Sequence, residues 1–303
     1  MSRPLATALL LLATMLWGFA FVAQKHAMES MGPLTFTAAR YLLGGLLVLP
    51  LCLWESRSAG RPLRRGIVGA SLALSVVFFM GTWLQQWGLE TTTVTNAGFL
   101  TGLYVMFVPI IAFVALRHRP HPVLLFGVPT ALVGIYLLNG ASLDQLSSGD
   151  LLVIMCAGFW AVHILVLGIL ATRSARPISV SAITFLAAGT LSLGLALTFE
   201  TPSLAALSEG WVAIAYAGIA STAIGFTLQA IGQQHVPPAN AAIILSAESL
   251  FAALGGAIIL GERLQPIGYL GAVLIFLAII AVETVPPLLA RRRAAARPEG
   301  YSV

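Results

Sequence analysis

Runs of about twenty apolar residues recur along the whole 303-residue chain, separated by short polar connections. A helix of about 20 apolar residues is long enough to cross the hydrocarbon core of a bilayer. Charged residues make up only 9% of the sequence, whereas ordinary globular domains carry about 25%. Since a soluble fold cannot bury so much apolar surface, we predict an all-α polytopic membrane protein with no soluble domain.

Ten membrane-spanning helices are predicted between turn signals such as Gly32-Pro33, Arg176-Pro177 and Pro237-Pro238. The first apolar run follows Met1-Ser2-Arg3 like a signal peptide, but it is long for one and lacks an A-x-A site, so we predict a retained helix. The predicted spans are about 5–24, 34–54, 66–88, 96–116, 122–139, 149–171, 178–199, 210–232, 240–260 and 266–286.

Basic residues predict the orientation of these spans. If the N-terminus is cytoplasmic, 13 of the 16 Lys and Arg residues fall on the cytoplasmic side, and only Lys25, Arg40 and Arg263 fall towards the other. Both termini are then cytoplasmic, with a basic tail at the C-terminus. Because topology explains the net charge of +5, we predict no nucleic-acid partner.

The sequence matches itself at a shift of 144 residues, which predicts two related halves, 1–140 and 141–303. Each half would hold five helices, and an odd number makes the halves enter the membrane in opposite senses. Inverted repeats of this kind are typical of transporters, whose substrate binds near the midplane between the halves. The matches include Pro33 with Pro177, Leu84-Gln85 with Leu228-Gln229, Asn96-Ala97 with Asn240-Ala241 and, at a shift of 143, Trp17 with Trp160.

One carboxylate, Glu248, lies near the centre of the ninth predicted span. An ionised side chain at the centre of a membrane helix costs roughly 2.5–3.5 kcal/mol on insertion scales, so Glu248 is expected to face a protein interior or a wet cavity. It either binds a substrate ammonium or titrates during transport, or it hydrogen-bonds neighbouring helix ends and only holds the fold. Its partner at the 144 shift is Tyr104, so both are expected near the pseudo-twofold axis.

Aromatic and polar side chains form a second group of predicted cavity residues. They would suit a flat apolar or cationic substrate, although such stripes also occur in cores and in interfacial belts. His163, three residues after Trp160, is either a proton acceptor or a hydrogen-bonded core residue. The predicted lining consists of Phe79, Trp83 and Gln86 on one face of the third span, with Trp17, Tyr104, Trp160 and His163.

Lys25 and Arg40 lie near the outer ends of the first two spans. They would either contact a substrate carboxylate or, the favoured interpretation, pair with Glu29 or Glu90 or extend towards the membrane surface.

Several motifs resemble the EamA repeats of the drug/metabolite transporter superfamily, over essentially the whole chain. The resemblance implies ten helices around a central cavity, no ATPase activity and transport by alternating access. The transport is usually export across the bacterial cytoplasmic (inner) membrane, and members of the YddG type move amino acids. The motifs are Trp17-Gly18-x-x-Phe21 with Lys25, Ala39-Arg40, Gly98 to Tyr104 with Pro109, and Ala247-Glu248-x-x-Phe251-Ala252-Ala253 leading into Gly261-Glu262-Arg263-Leu264.

The absence of other motifs narrows the function. No Walker A sequence supports an ATP-driven pump, and no G-x-S-x-G or H-E-x-x-H motif supports an intramembrane enzyme. No C-x-x-C zinc spacing occurs, so we predict neither metal nor cofactor. The prediction is a secondary transporter that exports small metabolites, foremost aromatic or other apolar amino acids. The alternatives are an exporter of drug-like organic cations and, from another class, a membrane subunit or enzyme without transport. Proton coupling and the choice between monomer and homodimer stay open.

Overall fold

The computed structural model describes residues 1–117, 122–138, 140–141, 147–263 and 265–295, and these contain helices and no strand. A π-helix (Tyr216–Phe226) joins the tenth and eleventh α-helices. The α-helices are α1 (Arg3–Ala27), α2 (Pro33–Ser58), α3 (Arg65–Gly88), α4 (Val94–Thr101), α5 (Tyr104–Leu116), α6 (Leu124–Leu138), α7 (Ser148–Ser174), α8 (Pro177–Phe199), α9 (Leu204–Glu209), α10 (Trp211–Ala215), α11 (Thr227–Gly232), α12 (Pro238–Leu245), α13 (Glu248–Ile259) and α14 (Pro266–Ala295).

Eight helical stretches of the described chain are long and apolar enough to cross a membrane. Each has 22 to 27 residues, or about 33–40 Å at 1.5 Å per residue. The chain is therefore a polytopic all-α membrane protein. The predicted spans 122–139 and 266–286 fall on α6 and on the first part of α14, which are apolar but shorter as described, and the last part of the predicted basic tail, from residue 296, lies outside the described residues.

Proline and capping residues set where several helices begin. Pro33 and Pro177 occupy the first position of α2 and α8, where a missing N–H costs nothing and the fixed φ suits a helix. At the start of α7, the Ser147 side chain accepts a hydrogen bond from the Asp150 N–H, and Asp150 accepts one from the Ser147 N–H. This reciprocal capping box fixes the entry of α7.

Two glutamates hold α2 and α8 together in antiparallel orientation. Glu200, which follows α8, accepts hydrogen bonds at the start of α2 from the Leu34 N–H (2.8 Å) and from the N–H and hydroxyl of Thr35 (2.8 and 2.6 Å). Glu55, near the end of α2, accepts from the first turn of α8, where Ser179 donates its N–H (2.7 Å) and its hydroxyl (2.6 Å). The glutamate at the end of each helix therefore caps the start of the other helix.

Aromatic rings form the centre of the core, between α2, α3, α7, α8 and the π-helix. The Phe78 ring lies 4.8 Å from the Tyr41 ring and 5.0 Å from the Phe226 ring, both edge-on. The outer surface is also apolar, with side chains such as Phe126 and Phe199 exposed. An apolar exterior of this kind fits a lipid environment.

Candidate functional site

A small cavity lies in the middle of the helices. All of its lining residues are buried. The lining is formed by Trp17, Phe21, Gln24, Arg40, Tyr41, Gln85, Thr101, Tyr104, Trp160, Ile164, Ser221, Phe226, Gln229, Leu245 and Glu248.

Four of the predicted site residues line this cavity: Trp17, Tyr104, Trp160 and Glu248. They come from α1, α5, α7 and α13, and the fold brings them together from both halves of the sequence. Tyr104 and Glu248 line the same cavity. This proximity agrees with their correspondence at the 144-residue shift.

The other predicted residue group, on α3, lies outside the cavity lining. Phe79 stacks on Trp83 (ring centroids 5.8 Å apart), and Trp83 stacks on Trp87 (5.6 Å), which is 43% exposed. Gln86 donates its side-chain N–H to the Gln24 carbonyl (2.9 Å). The α3 residue that reaches the cavity is Gln85, which also donates to the Thr101 hydroxyl (3.0 Å).

His163 also lies behind the cavity wall. Its ring packs against Phe78 (5.1 Å), Trp160 (5.5 Å) and Phe226 (6.1 Å), and its Nδ1 has no hydrogen-bond partner. Of these rings, Trp160 and Phe226 line the cavity, and His163 itself does not.

Five buried polar atoms on the cavity-lining residues have no hydrogen-bond partner. Native proteins pair almost all buried polar atoms, so such a cluster requires an explanation, and a polar ligand is one. The atoms are Arg40 Nε, the Tyr104 hydroxyl, Trp160 Nε1, Gln229 Oε1 and Glu248 Oε1.

One wall of the cavity is aromatic. The Trp17 ring lies 4.6 Å from the Phe226 ring, and the Trp160 ring stacks on Phe226 at 5.6 Å. Trp17 Nε1 donates to the Ser221 carbonyl (3.1 Å), which fixes the indole orientation. The cavity therefore combines an apolar wall with unpaired polar groups, as sites for small amphipathic ligands do.

The membrane spans that carry Tyr104 and Glu248 are both interrupted immediately before those residues. At Leu103 and at Ala247 the backbone N–H bonds to the carbonyl three residues earlier instead of four, and the pattern continues at Val105 and Ser249. Tightened turns inside a helix often mark hinges. Ser249 Oγ also donates to the Gly98 carbonyl (2.9 Å), which ties the two interrupted spans together.

Arg40 differs from the favoured prediction of an ion pair with Glu29 or Glu90. It is 4% exposed and lines the cavity, where its Nη2 donates to Ser221 Oγ (2.9 Å) and its guanidinium lies 4.8 Å from the centre of the Tyr41 ring. Its position near the centre of the fold comes from α2 packing closely against α8 and the π-helix.

Lys25 and Glu29 also have other partners than predicted. The Lys25 ammonium donates to the carbonyls of Leu89 (2.7 Å) and Thr92 (3.0 Å) and, more weakly, to that of Glu90 (3.3 Å). Glu29 pairs with His26 (3.0 Å). In the described part of the chain, no group of three or more His, Cys, Asp and Glu side chains is placed to hold a metal ion.

Comparison with known proteins identifies the family. The sequence profile of the EamA-like transporter family matches residues 5–140 and again residues 147–284. This chain belongs to the EamA-like transporter family. Membership agrees with the motifs around Trp17, Gly98 and Glu248, and it indicates a transporter and not an enzyme.

Relatives of this EamA protein are also named as transporters. It is 31% identical to an uncharacterized transporter of Archaeoglobus fulgidus over 275 residues, which are 90% of this chain and 84% of the relative. It is 28% identical to the uncharacterized transporter YwfM of Bacillus subtilis, over 91% of this chain and 93% of that protein. An S-adenosylmethionine/S-adenosylhomocysteine transporter of Chlamydia muridarum is 28% identical over half of each chain.

A solved crystal structure shares the fold of this EamA protein. The TM-score is 0.76, with 22% sequence identity, and the match covers 96% of this chain and 99% of the other. At this identity the likeness describes the fold alone.

Sequence reasoning missed most of the lining of this EamA protein, although one signal pointed to it. The 143- to 144-residue offset relates cavity-lining residues in pairs, and in three of these pairs neither residue was predicted as a site residue. A search for polar or aromatic pairs at that offset would have selected Gln85 together with Gln229. The lining pairs are Trp17 and Trp160, Phe21 and Ile164, Gln85 and Gln229, Thr101 and Leu245, and Tyr104 and Glu248.

Proposed function

We propose that this protein is a secondary transporter that binds a small amphipathic metabolite in the central cavity and moves it across the membrane by alternating access. Aromatic or other apolar amino acids are the proposed substrates, and export is the proposed direction. The observation that carries the proposal is the buried cavity itself, where unpaired polar atoms, among them a Glu248 oxygen, face an aromatic wall.

Within the site, Glu248 is the proposed binding residue for the substrate ammonium, with Tyr104 beside it. Trp17 and Trp160 would contact the apolar side chain together with Phe226. For Phe79, Trp83, Gln86 and His163 we propose a supporting role behind the lining, because their contacts are with Trp87, Gln24, Trp160 and Phe226.

The proposed architecture has ten spans in two inverted five-helix repeats, 1–140 and 141–303. Support comes from the paired cavity residues and from the tightened turns at Leu103 and Ala247, which are 144 positions apart. α6 and α14, the fifth helix of each repeat, pack side by side. The arginine distribution supports cytoplasmic termini in a bacterial inner membrane.

Drug-like organic cations are the second proposed substrate class. A buried carboxylate and aromatic faces both attract cations. The Chlamydia relatives are named for S-adenosylmethionine, which has an amino-acid end and a sulfonium, so it belongs in the same test.

Transport by the purified protein in sealed proteoliposomes tests the function. We expect uptake of at least one labelled amino acid from a panel that also contains a quaternary ammonium drug and S-adenosylmethionine, with and without a pH gradient. Glu248→Gln should reduce that flux at least tenfold, because it removes the cavity's only carboxylate among the described residues.

Glu209→Gln is the matched control, since Glu209 is an exposed carboxylate at the end of α9 and outside the cavity. Its flux should equal that of the wild type. No flux for any compound by the folded wild-type protein would overturn the proposed function. Flux that Glu248→Gln leaves unchanged would restrict Glu248 to a structural role.

A further inference from the structure

The cavity contains two residues of opposite formal charge, Arg40 on α2 and Glu248 on α13, and no other charged residue in its described lining. Arg40 is 4% and Glu248 5% exposed. Within the described part of the chain, the two do not approach within ion-pair distance of each other or of another charged group. Two buried ionisable groups thus face one small space without pairing directly with each other.

Arg40 is held in place but only partly satisfied. A guanidinium has five N–H donors, and here Nη2 donates to Ser221 Oγ while Nε has no partner. The Tyr41 ring, 4.8 Å away, offsets part of the charge. Removing a charge from water is costly unless a counter-charge or hydrogen bonds replace the hydration, so the remaining donors favour an anion. Guanidinium donors match the geometry of a carboxylate.

Glu248 offers the complementary group. An ionised carboxylate only accepts hydrogen bonds, and its Oε1 has no partner. An ammonium, with three donors and a positive charge, suits this position, and the neighbouring Tyr104 hydroxyl is also unpaired.

We propose that the transported substrate is a zwitterion whose carboxylate binds Arg40 and whose ammonium binds Glu248. Its apolar side chain lies against the wall of Trp17, Trp160 and Phe226. This inference rests on the proposed function. A zwitterion neutralises both buried charges and adds no net charge to the cavity. A simple organic cation would leave Arg40 uncompensated and would be repelled by it. Arg40 therefore selects amino acids over amines.

The position of Arg40 also breaks the symmetry of the cavity. Residues such as Gln85 and Gln229 line it in pairs at the repeat offset, but the residue 144 positions after Arg40 is Thr184. Thr184 is absent from the lining, and its hydroxyl donates to the Val180 carbonyl of its own helix (2.9 Å). Arg40 therefore has no counterpart in the cavity lining at this offset, so the charged groups of the cavity are arranged asymmetrically, as a substrate with two different charged groups requires.

Ser221 is a positioning residue for this arrangement. It lies in the π-helix, where its hydroxyl accepts from Arg40 and its carbonyl accepts from Trp17 Nε1. One residue therefore orients both the guanidinium and part of the aromatic wall. π-Helical turns are frequent at functional sites.

Binding of matched ligand triplets to the purified protein tests the proposal. One triplet is L-phenylalanine, phenethylamine (ammonium only) and 3-phenylpropionate (carboxylate only); the second is L-leucine, isoamylamine and 4-methylvalerate. For the wild type we expect the amino acid of at least one triplet to bind at least tenfold more tightly than its amine and its acid. Arg40→Gln should weaken amino-acid binding at least tenfold while the amine binds as well as before or better. Glu248→Gln should weaken the amino acid and spare the acid.

Ser221→Ala keeps both charges and provides a second variant should Arg40→Gln fail to fold, as judged by size-exclusion chromatography. We expect it to weaken amino-acid binding severalfold and to leave amine binding unchanged. Equal losses for amino acid and amine in Arg40→Gln or Ser221→Ala, or an unchanged amino-acid affinity, would overturn the assignment of Arg40. A wild type that transports solutes but binds amine and amino acid equally overturns the zwitterion and leaves the transporter standing. A wild type that neither binds nor transports any of the compounds overturns the proposed function itself.

Discussion

At the scale of single residues, the environment of Glu90 opposes its negative charge. Glu90 lies in the connection between α3 and α4, outside the membrane-spanning helices. Partial burial and repulsion by Glu200 raise the pKa of its carboxyl above the ordinary value of 4.5, and attraction by Lys25 offsets only part of this. The folded protein therefore binds the Glu90 proton more tightly than the unfolded chain does.

This raised pKa predicts a pH-dependent effect of Glu90→Gln. Well below the ordinary carboxyl pKa, Glu90 is protonated in the folded and the unfolded protein and does not change the free energy of unfolding. As the pH rises through that value and past the raised pKa, ionisation of Glu90 destabilises the folded wild type. We expect wild type and variant to unfold at the same midpoint temperature at about pH 3.5, and the variant to unfold at a higher temperature at about pH 7.5. Glu209→Gln, at an exposed carboxylate at the end of α9, is measured at both pH values as the control. A variant less stable than the wild type at neutral pH contradicts the prediction.

At the scale of helices, close contact between α1 and α13 depends on Gly18. A Cβ at this position would lie 2.3 Å from Phe251 Cβ and 2.7 Å from the Ala252 nitrogen. The Ala252 backbone atom is fixed by its helix, so the clash cannot be relieved by a side-chain rotation.

Gly18→Ala is therefore expected to destabilise the protein by about 1–3 kcal/mol, the usual range for overpacking. Gly158→Ala is the matched control, because a Cβ at Gly158 meets no atom within 4 Å; it should be neutral or stabilise by up to about 1 kcal/mol. Thermal unfolding in one detergent measures both. Equal stability of the two variants contradicts a tight contact between α1 and α13.

The reciprocal glutamate caps of α2 and α8 are also expected to stabilise the packing of helices. Glu55→Ala and Glu200→Ala each remove charge-assisted hydrogen bonds from a helix start, so each should cost about 1–2 kcal/mol. The caps lie at opposite ends of helices roughly 35–39 Å long, so the double variant should lose the sum to within about 0.5 kcal/mol. A larger combined loss in chemical unfolding would show that the two ends are coupled.

At the scale of the whole molecule, several contacts between helices gather at one end. Glu262, after α13, accepts from the Val94 and Thr95 N–H groups at the start of α4 (3.3 and 3.2 Å) and from the Thr95 hydroxyl. Asp150 at the start of α7 accepts from the Thr92 hydroxyl. Together with the hydrogen bonds of Lys25, these bonds connect α1, α4, α7 and α13 at this end of the molecule.

We expect Glu262→Ala to open this end of the cavity. In a background with Cys52 and Cys156 replaced, a cysteine introduced at Gln85 should react severalfold faster with a membrane-impermeant maleimide applied from this face. Glu209→Ala, an exposed glutamate near the same end, is the control and should not change the rate. An unchanged labelling rate in Glu262→Ala would show that Glu262 only caps α4 and does not keep this end of the cavity closed.

The helical framework was readable from the sequence, whereas much of the cavity was not. The bounds of the eight spanning helices follow predicted spans within a few residues, because apolar length, Pro33, Pro177 and the capping residues act locally. The family was also recognisable from short motifs. Trp17, Tyr104, Trp160 and Glu248 line one cavity, and the 143- to 144-residue offset in the sequence relates them in two pairs.

The tertiary structure decided which side of each helix faces the cavity. On α3, the cavity receives Gln85, while Phe79 and Trp83 stack towards Trp87; on α2, Arg40 turns inward to Ser221. In a membrane both the lipid-facing and the core-facing sides of a helix are apolar, so hydrophobic periodicity does not define the rotation of a helix about its axis. The sequence by itself determined the lengths of the apolar helices and where several of them start. Contacts between helices decided which residues face the cavity, because only packing against neighbouring helices sets the rotation of each helix about its axis.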